Sequence, residues 1–227
     1  MKKGLLYALL VLLTTLPDAA LAHAVGGADA AFVRAQIGPA PFPFLYLGAK
    51  HMVTGYDHLL FLLGVVFYLK RFRDIAILVS LFSLGHSLTL LFGVLTHTGV
   101  NPFLLDAVIG LSVLYKGLDN LGAVKAFFGR QPDNRLVVFG FGLFHGLGLA
   151  ASVEKLRPHA DGLIINLLSF NIGVELGQLL ALSLVLAVLT TWRSLGSDRM
   201  SGWINGALCV CGLVLTGAQL TGYFSGS

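Results

Sequence analysis

The chain has 227 residues, of which 56% are hydrophobic and 11% charged, with a mean hydropathy of +0.84. A soluble domain carries about 25% charged residues, so the composition excludes a soluble globular protein and points to one embedded in a lipid bilayer. The net charge of +4 does not mark a nucleic-acid binder, because the basic residues stand in short clusters between apolar runs; the only two cysteines, Cys209 and Cys211, exclude a disulfide framework or a complete zinc knuckle.

Lys2 and Lys3, an apolar stretch from Leu5 to Leu16 and the small-residue stretch from Asp18 to Ala22 are the three parts of a secretory signal. Residues 1–22 are therefore expected to be a cleaved signal peptide. Cleavage after Ala22 leaves His23 as the new amino terminus, where the imidazole and the free amino group can chelate a metal; cleavage after Ala24 removes it. Residues 23–43, rich in Gly, Ala and Pro and ending in Pro39, Pro41 and Pro43, are expected to form a short periplasmic lead-in that resists regular helix.

Six apolar runs follow, each near the roughly 20 residues needed to cross a hydrocarbon core: Phe44 to Leu69, Asp74 to His97, Pro102 to Gly122, Arg135 to Val153, Leu163 to Thr191 and Gly202 to Phe224. The expected fold is an all-α membrane protein, a bundle of six transmembrane helices over residues 44–227. Two signals orient it. A cleaved signal leaves the mature amino terminus periplasmic, and the positive-inside rule agrees: Lys70, Arg71 and Arg73, then Lys125, Arg130 and Arg135, then Arg193 and Arg199 fall on the inward connections. The expected location is a bacterial-type inner (plasma) membrane, crossed several times. Gly140, Gly142, Gly146 and Gly148 of the fourth run suit close approach of helix backbones.

Ionisable residues near the bilayer centre are costly and mark function. In the first run, His51-Met52-Val53-Thr54-Gly55-Tyr56-Asp57-His58 places Asp57 and His58 there, with His51 nearer the outer face. On an unbroken helix His51 and His58 share a stripe but stand about 10.5 Å apart along the axis. They are then successive stations, too distant to hold one ion together. His86 lies near the middle of the second run and His145 near the middle of the fourth; Asn171, Glu175 and Gln178 fall on one face of the fifth. Lys116 and Asp119 of the third are close enough to pair. Inward-facing residues at one depth converge in a bundle, and imidazole with carboxylate oxygen suits divalent zinc, nickel, cobalt or iron. The candidate metal-binding residues are His51, Asp57, His58, His86, His145 and Glu175, with His23 ahead of them.

The first-run pattern H-x-x-x-G-x-D-H, behind its signal peptide, resembles the first-helix motif of the HupE/UreJ family of membrane proteins. Ser83 to Ser87, Phe144 to Gly148 and Phe170 to Gln178 resemble that family's later motifs, especially those of its second branch. Where the better-known branch has proline after the first histidine, this chain has Met52. The family is named for accessory genes of two nickel enzymes, hydrogenase and urease, so the resemblance implies nickel uptake or, more broadly, transition-metal permeation. It implies that His51, Asp57 and His58 select the metal, and that His86, His145 and Glu175 correspond to the later motifs.

Three functions fit these residues. The first is a permease for nickel, cobalt or zinc, with the metal ion and the lipid bilayer as partners and no nucleic acid. The second is an intramembrane zinc hydrolase, in which Asp57 or Glu175 serves as general base. The third is a metal-free structural membrane subunit. The sequence leaves the oligomeric state open, a homo-oligomer being among the arrangements it allows.

Overall fold

A computed structural model describes residues 27–156, 158–194 and 201–226; the expected signal peptide and His23 lie outside them. The described residues form nine helices and no strand: α1 (Gly27–Ala35), α2 (Pro41–Thr54), α3 (Tyr56–Val66), α4 (Phe72–Thr96), α5 (Pro102–Asn120), α6 (Ala123–Phe128), α7 (Asn134–Lys155), α8 (Leu163–Ser194) and α9 (Ser201–Ser225). Four of these, α4, α7, α8 and α9, contain stretches long and apolar enough to cross a membrane. On α4, Leu84, Leu88, Phe92 and Leu95 are exposed in a continuous stripe, as a lipid-facing surface requires. α5 is 19 residues long and carries Asp106, Lys116 and Asp119.

The lead-in departs from expectation. Alanine-rich residues 27–35 form α1, with Asp29 in its first turn and Arg34 in its last, the charge order that complements a helix dipole. Ala30 and Val33, three apart, bury their side chains beneath it. Proline then starts a helix rather than stopping one: Pro41 and Pro43 occupy the first turn of α2, where a missing N–H costs nothing.

The first apolar run is not one helix. Gly55, at φ −73° and ψ 98°, takes the backbone out of helical geometry between α2 and α3. Its N–H still donates to the His51 carbonyl at 2.9 Å and its own carbonyl accepts from Leu59 at 3.1 Å, so both half-helices end tidily. The His58 N–H, deprived of a preceding turn, donates to the Asp57 carboxylate at 2.9 Å.

Three helix pairs make the bundle, and glycines set their separation. α4 and α7 run parallel: a Cβ on Gly85 would meet the Phe139 carbonyl, and one on Gly146 the His86 carbonyl. α2 and α8 are also parallel, with Gly48 against the Phe170 carbonyl and Gly173 against that of Leu45. α5 and α9 are antiparallel, Gly110 lying against Thr216 and Gly117 against Cys209. α3 sits among them, touching α2, α4, α5, α8 and α9.

The apolar interior has two large clusters and a small third one at Cys211 and Leu215. Toward the α1 end, one cluster joins Val33, Phe44, Met52, Leu90, Leu149 and Phe170. Toward the α6 end, another joins Phe61, Val66, Phe82, Val138, Leu182 and Leu208. His86 lies four residues from both Phe82 and Leu90 along α4, so the histidine level falls between the clusters.

Candidate metal centre

The break at Gly55 changes the geometry of the first-run histidines. His51 ends α2 and His58 opens α3, and with the axis interrupted their ring centroids stand 5.1 Å apart. They belong to one site rather than to two stations. A Cβ on Gly55 would lie 3.0 Å from both the His51 carbonyl oxygen and His58 Nδ1, and 3.1 Å from Asp57 Oδ1. The φ at Gly55 is one that any residue can adopt; what glycine supplies is room among these three atoms.

His86 and His145 arrive from the other side, carried by α4 and α7. Each adjoins a glycine of the tight α4/α7 crossing, Gly85 before His86 and Gly146 after His145, so the contact that draws the helices together also brings the two imidazoles to one level. Both are fully buried, His58 is 1% exposed and His51 8%. The His58 ring lies 5.9 Å from that of His86 and 4.9 Å from that of His145.

Candidate ligand atoms of His51, His58 and His86 all lie within 4.8 Å of one another, and this is the one such group among the described residues. Nitrogen ligands about 2.1 Å from a tetrahedral ion stand roughly 3.4 Å apart. Closing the three rings on an ion therefore takes a contraction of no more than about 1.4 Å. The donor set is three imidazoles without sulfur, which suits zinc, nickel or cobalt.

Neighbouring side chains orient these rings. His58 Nδ1 lies 3.1 Å from Asp57 Oδ1, the oxygen that also accepts the His58 N–H. With Nδ1–H donating to a carboxylate, the lone pair is on Nε2, and the imidazole becomes a stronger donor toward a metal. Asp57, in the first turn of α3, also offsets the positive end of that helix. His145 is arranged differently. Its Nε2 lies 3.2 Å from Ser112 Oγ, while the Ser112 hydroxyl donates its single proton to the Ile109 carbonyl at 2.6 Å. Nε2–H must then be the donor to Ser112, so the His145 lone pair is on Nδ1. Phe82 and Phe61 pack against the same ring, at 5.0 and 5.3 Å between centroids. His145 thus stands behind His58, outside the trio of ligand atoms.

The α8 residues expected on one face differ in burial. Asn171 and Gln178 are buried, whereas Glu175 is exposed and takes no part in the histidine group. Gln178 accepts from the Ser83 hydroxyl and donates to the Val79 carbonyl at 3.4 Å, tying α8 to α4 just below the centre. Lys116 and Asp119 pair as expected, at 2.7 Å. Ser112 was not foreseen, since an isolated serine in an apolar run carries no signal of its own. Beside His58, Met52, Phe61, Leu62, Phe82 and Gln178 are among the residues lining a cavity of about 10 Å³, roughly the room one water needs.

A family model described as HupE / UreJ protein matches residues 27–227. No curated protein and no solved structure matches the chain.

Proposed function

The chain belongs to the HupE/UreJ family, and from that membership we propose that it is a permease for a divalent transition metal, nickel first, with cobalt and zinc sharing the donor chemistry. The observation that carries this reading is the trio His51, His58 and His86, assembled by the break at Gly55 at a level buried between two apolar clusters. Discontinuous helices that meet at an ion site are a recurring device of secondary transporters. In this reading the α2/α3 pair and α5 cross the membrane with the four long helices, making six crossings, and the α1 end faces the periplasm of a bacterial-type inner membrane.

The ion approaches from the α1 side and meets His51, the most accessible of the trio. His58 and His86 complete its ligand set while Asp57 holds His58 in its donor tautomer. His145, fixed by Ser112, keeps the His58 ring in place. With apolar clusters packed on both sides, the arrangement corresponds to a closed state in which the ion is shielded from both faces. His23, if retained after cleavage, would act ahead of His51, and Glu175 lies outside the path.

Proteoliposomes containing the native chain should take up nickel, cobalt or zinc down a gradient, and His58→Ala and His86→Ala should abolish that uptake. Equal uptake by all three proteins refutes the reading. Stoichiometric binding without uptake would favour the intramembrane hydrolase.

A further inference from the structure

Lys116 is a buried cation on the α6 side of the histidine centre. It follows Ser112 on α5 by four residues, so it lies about 6 Å nearer the α6 end on almost the same helix face. Its stem crosses α3 at Gly64, where an added Cβ would lie 3.0 Å from Lys116 Cβ. Gly64 itself is six residues, or about 9 Å of helix, beyond His58. Lys116 therefore occupies the junction between α3 and α5 on the way from the centre to the α6 end.

The Lys116 side chain is 2% exposed, and its ammonium is held by Asp119 Oδ2 at 2.7 Å and by Asn134 Oδ1 at 3.1 Å. The other Asp119 oxygen accepts from Gln131, so α5, the segment before α7 and the first residue of α7 are locked together. Next to this lock, Asn120 Nδ2 donates to the Gly64 carbonyl at 2.9 Å and to Asn205 Oδ1 at 2.8 Å, tying α3 and α9 into the same layer. Apolar residues of similar volume usually hold a bundle as well as a buried ion pair does. Stability alone therefore gives no reason for a charge here. The Lys116 stem carries its charge to the α6 end, where Nζ meets the carboxylate of Asp119, three residues farther along α5, and Asn134 at the start of α7.

We propose that Lys116 is the charge gate of this permeation path, a specificity-determining residue for cation release. The inference rests on the permease reading. In the closed lock the ammonium neutralises Asp119 and withholds its carboxylate from a divalent ion at the α6 end of the path. When the lock opens, Lys116 leaves the path and the released Asp119 carboxylate is the first anionic ligand the departing ion meets. The same lock would be silent toward a neutral solute.

The test uses full-length protein in proteoliposomes with nickel, cobalt and zinc, and equilibrium metal binding on the same samples. Lys116→Gln removes the barrier and should raise uptake about tenfold with binding stoichiometry unchanged. Asp119→Asn leaves the ammonium unneutralised and should lower uptake about tenfold, again without loss of binding. Lys116→Arg keeps the charge and should behave as native. A merely structural pair gives losses of the same sign for both neutralising variants, and that result overturns the gate. Should Lys116→Gln fail to fold, Asn134→Asp keeps the ammonium paired and Asp119 in place while adding a carboxylate to the lock; it supports the gate if uptake rises and overturns it if uptake is native or lower. A native chain that binds metal but passes none refutes the permease reading itself, whereas native uptake with no acceleration in Lys116→Gln refutes the gate alone.

Discussion

Gly55→Ala is the smallest change that tests whether the helix break makes the metal centre. The new methyl group would lie 3.0 Å from His58 Nδ1 and 3.1 Å from Asp57 Oδ1, inside ordinary van der Waals separation for both. Moving either atom weakens the hydrogen bond that orients His58, at a cost of about 1 kcal/mol. Alanine also favours continuous helix over glycine by about 1 kcal/mol, and a continuous helix returns His51 and His58 to an axial separation of about 10.5 Å. Together these come to about 2 kcal/mol, or roughly a 30-fold rise in Kd. Isothermal titration of purified protein with nickel, cobalt and zinc reads this directly. Gly140→Ala is the control, since a Cβ there meets nothing within 4 Å. Native affinity in Gly55→Ala would refute the claim that the break assembles the site.

Asp57→Asn should weaken metal binding about 10- to 100-fold while the protein remains folded, as loss of an outer-shell partner does; titration against a competing chelator measures it. Ser112→Ala leaves the buried His145 Nε2–H without its acceptor, and should cost about 1–3 kcal/mol in thermal unfolding without changing metal stoichiometry. Gly173→Leu drives a side chain into the Leu45 carbonyl across the α2/α8 contact, so it should destabilise by at least about 1–3 kcal/mol and leave monodisperse protein scarce in size-exclusion chromatography. Adding nickel at about 100 times its Kd should stabilise the native fold by about 2.7 kcal/mol, and His86→Ala should lose that increment.

Much of this architecture can be read in the amino-acid sequence, because a lipid environment makes apolar length speak directly. The second, fourth, fifth and sixth apolar runs correspond to α4, α7, α8 and α9, and the candidate histidines at His51, His58, His86 and His145 do come together. What periodicity does not convey is where a helix stops being continuous. A single glycine in an apolar run reads equally as a packing site or as a break; in this chain Gly48 is the first and Gly55 the second. Helix-face arithmetic also leaves burial undecided at Glu175. Its stripe with Asn171 and Gln178 is real, but α8 packs so that the stripe's edge turns outward, and only tertiary contact decides which edge is covered. Ser112 becomes meaningful only through the imidazole that another helix brings to it.

The order of helix pairing bears on how the protein is made. α2, α4 and α5 all precede residue 121, and their principal partners α8, α7 and α9 all follow residue 133. A nascent chain that has delivered its first half to the bilayer has therefore synthesised three of the centre's histidines and none of the three main pairings. α4 gains its partner first, α2 next and α5 last. Biogenesis thus requires early helices to persist in lipid as separate rods, their glycine grooves open, until the carboxyl-terminal helices arrive. Lengthening the connections in the second half should delay assembly and expose α2 and α5 to membrane proteases, even though no residue of the finished protein has changed its neighbours.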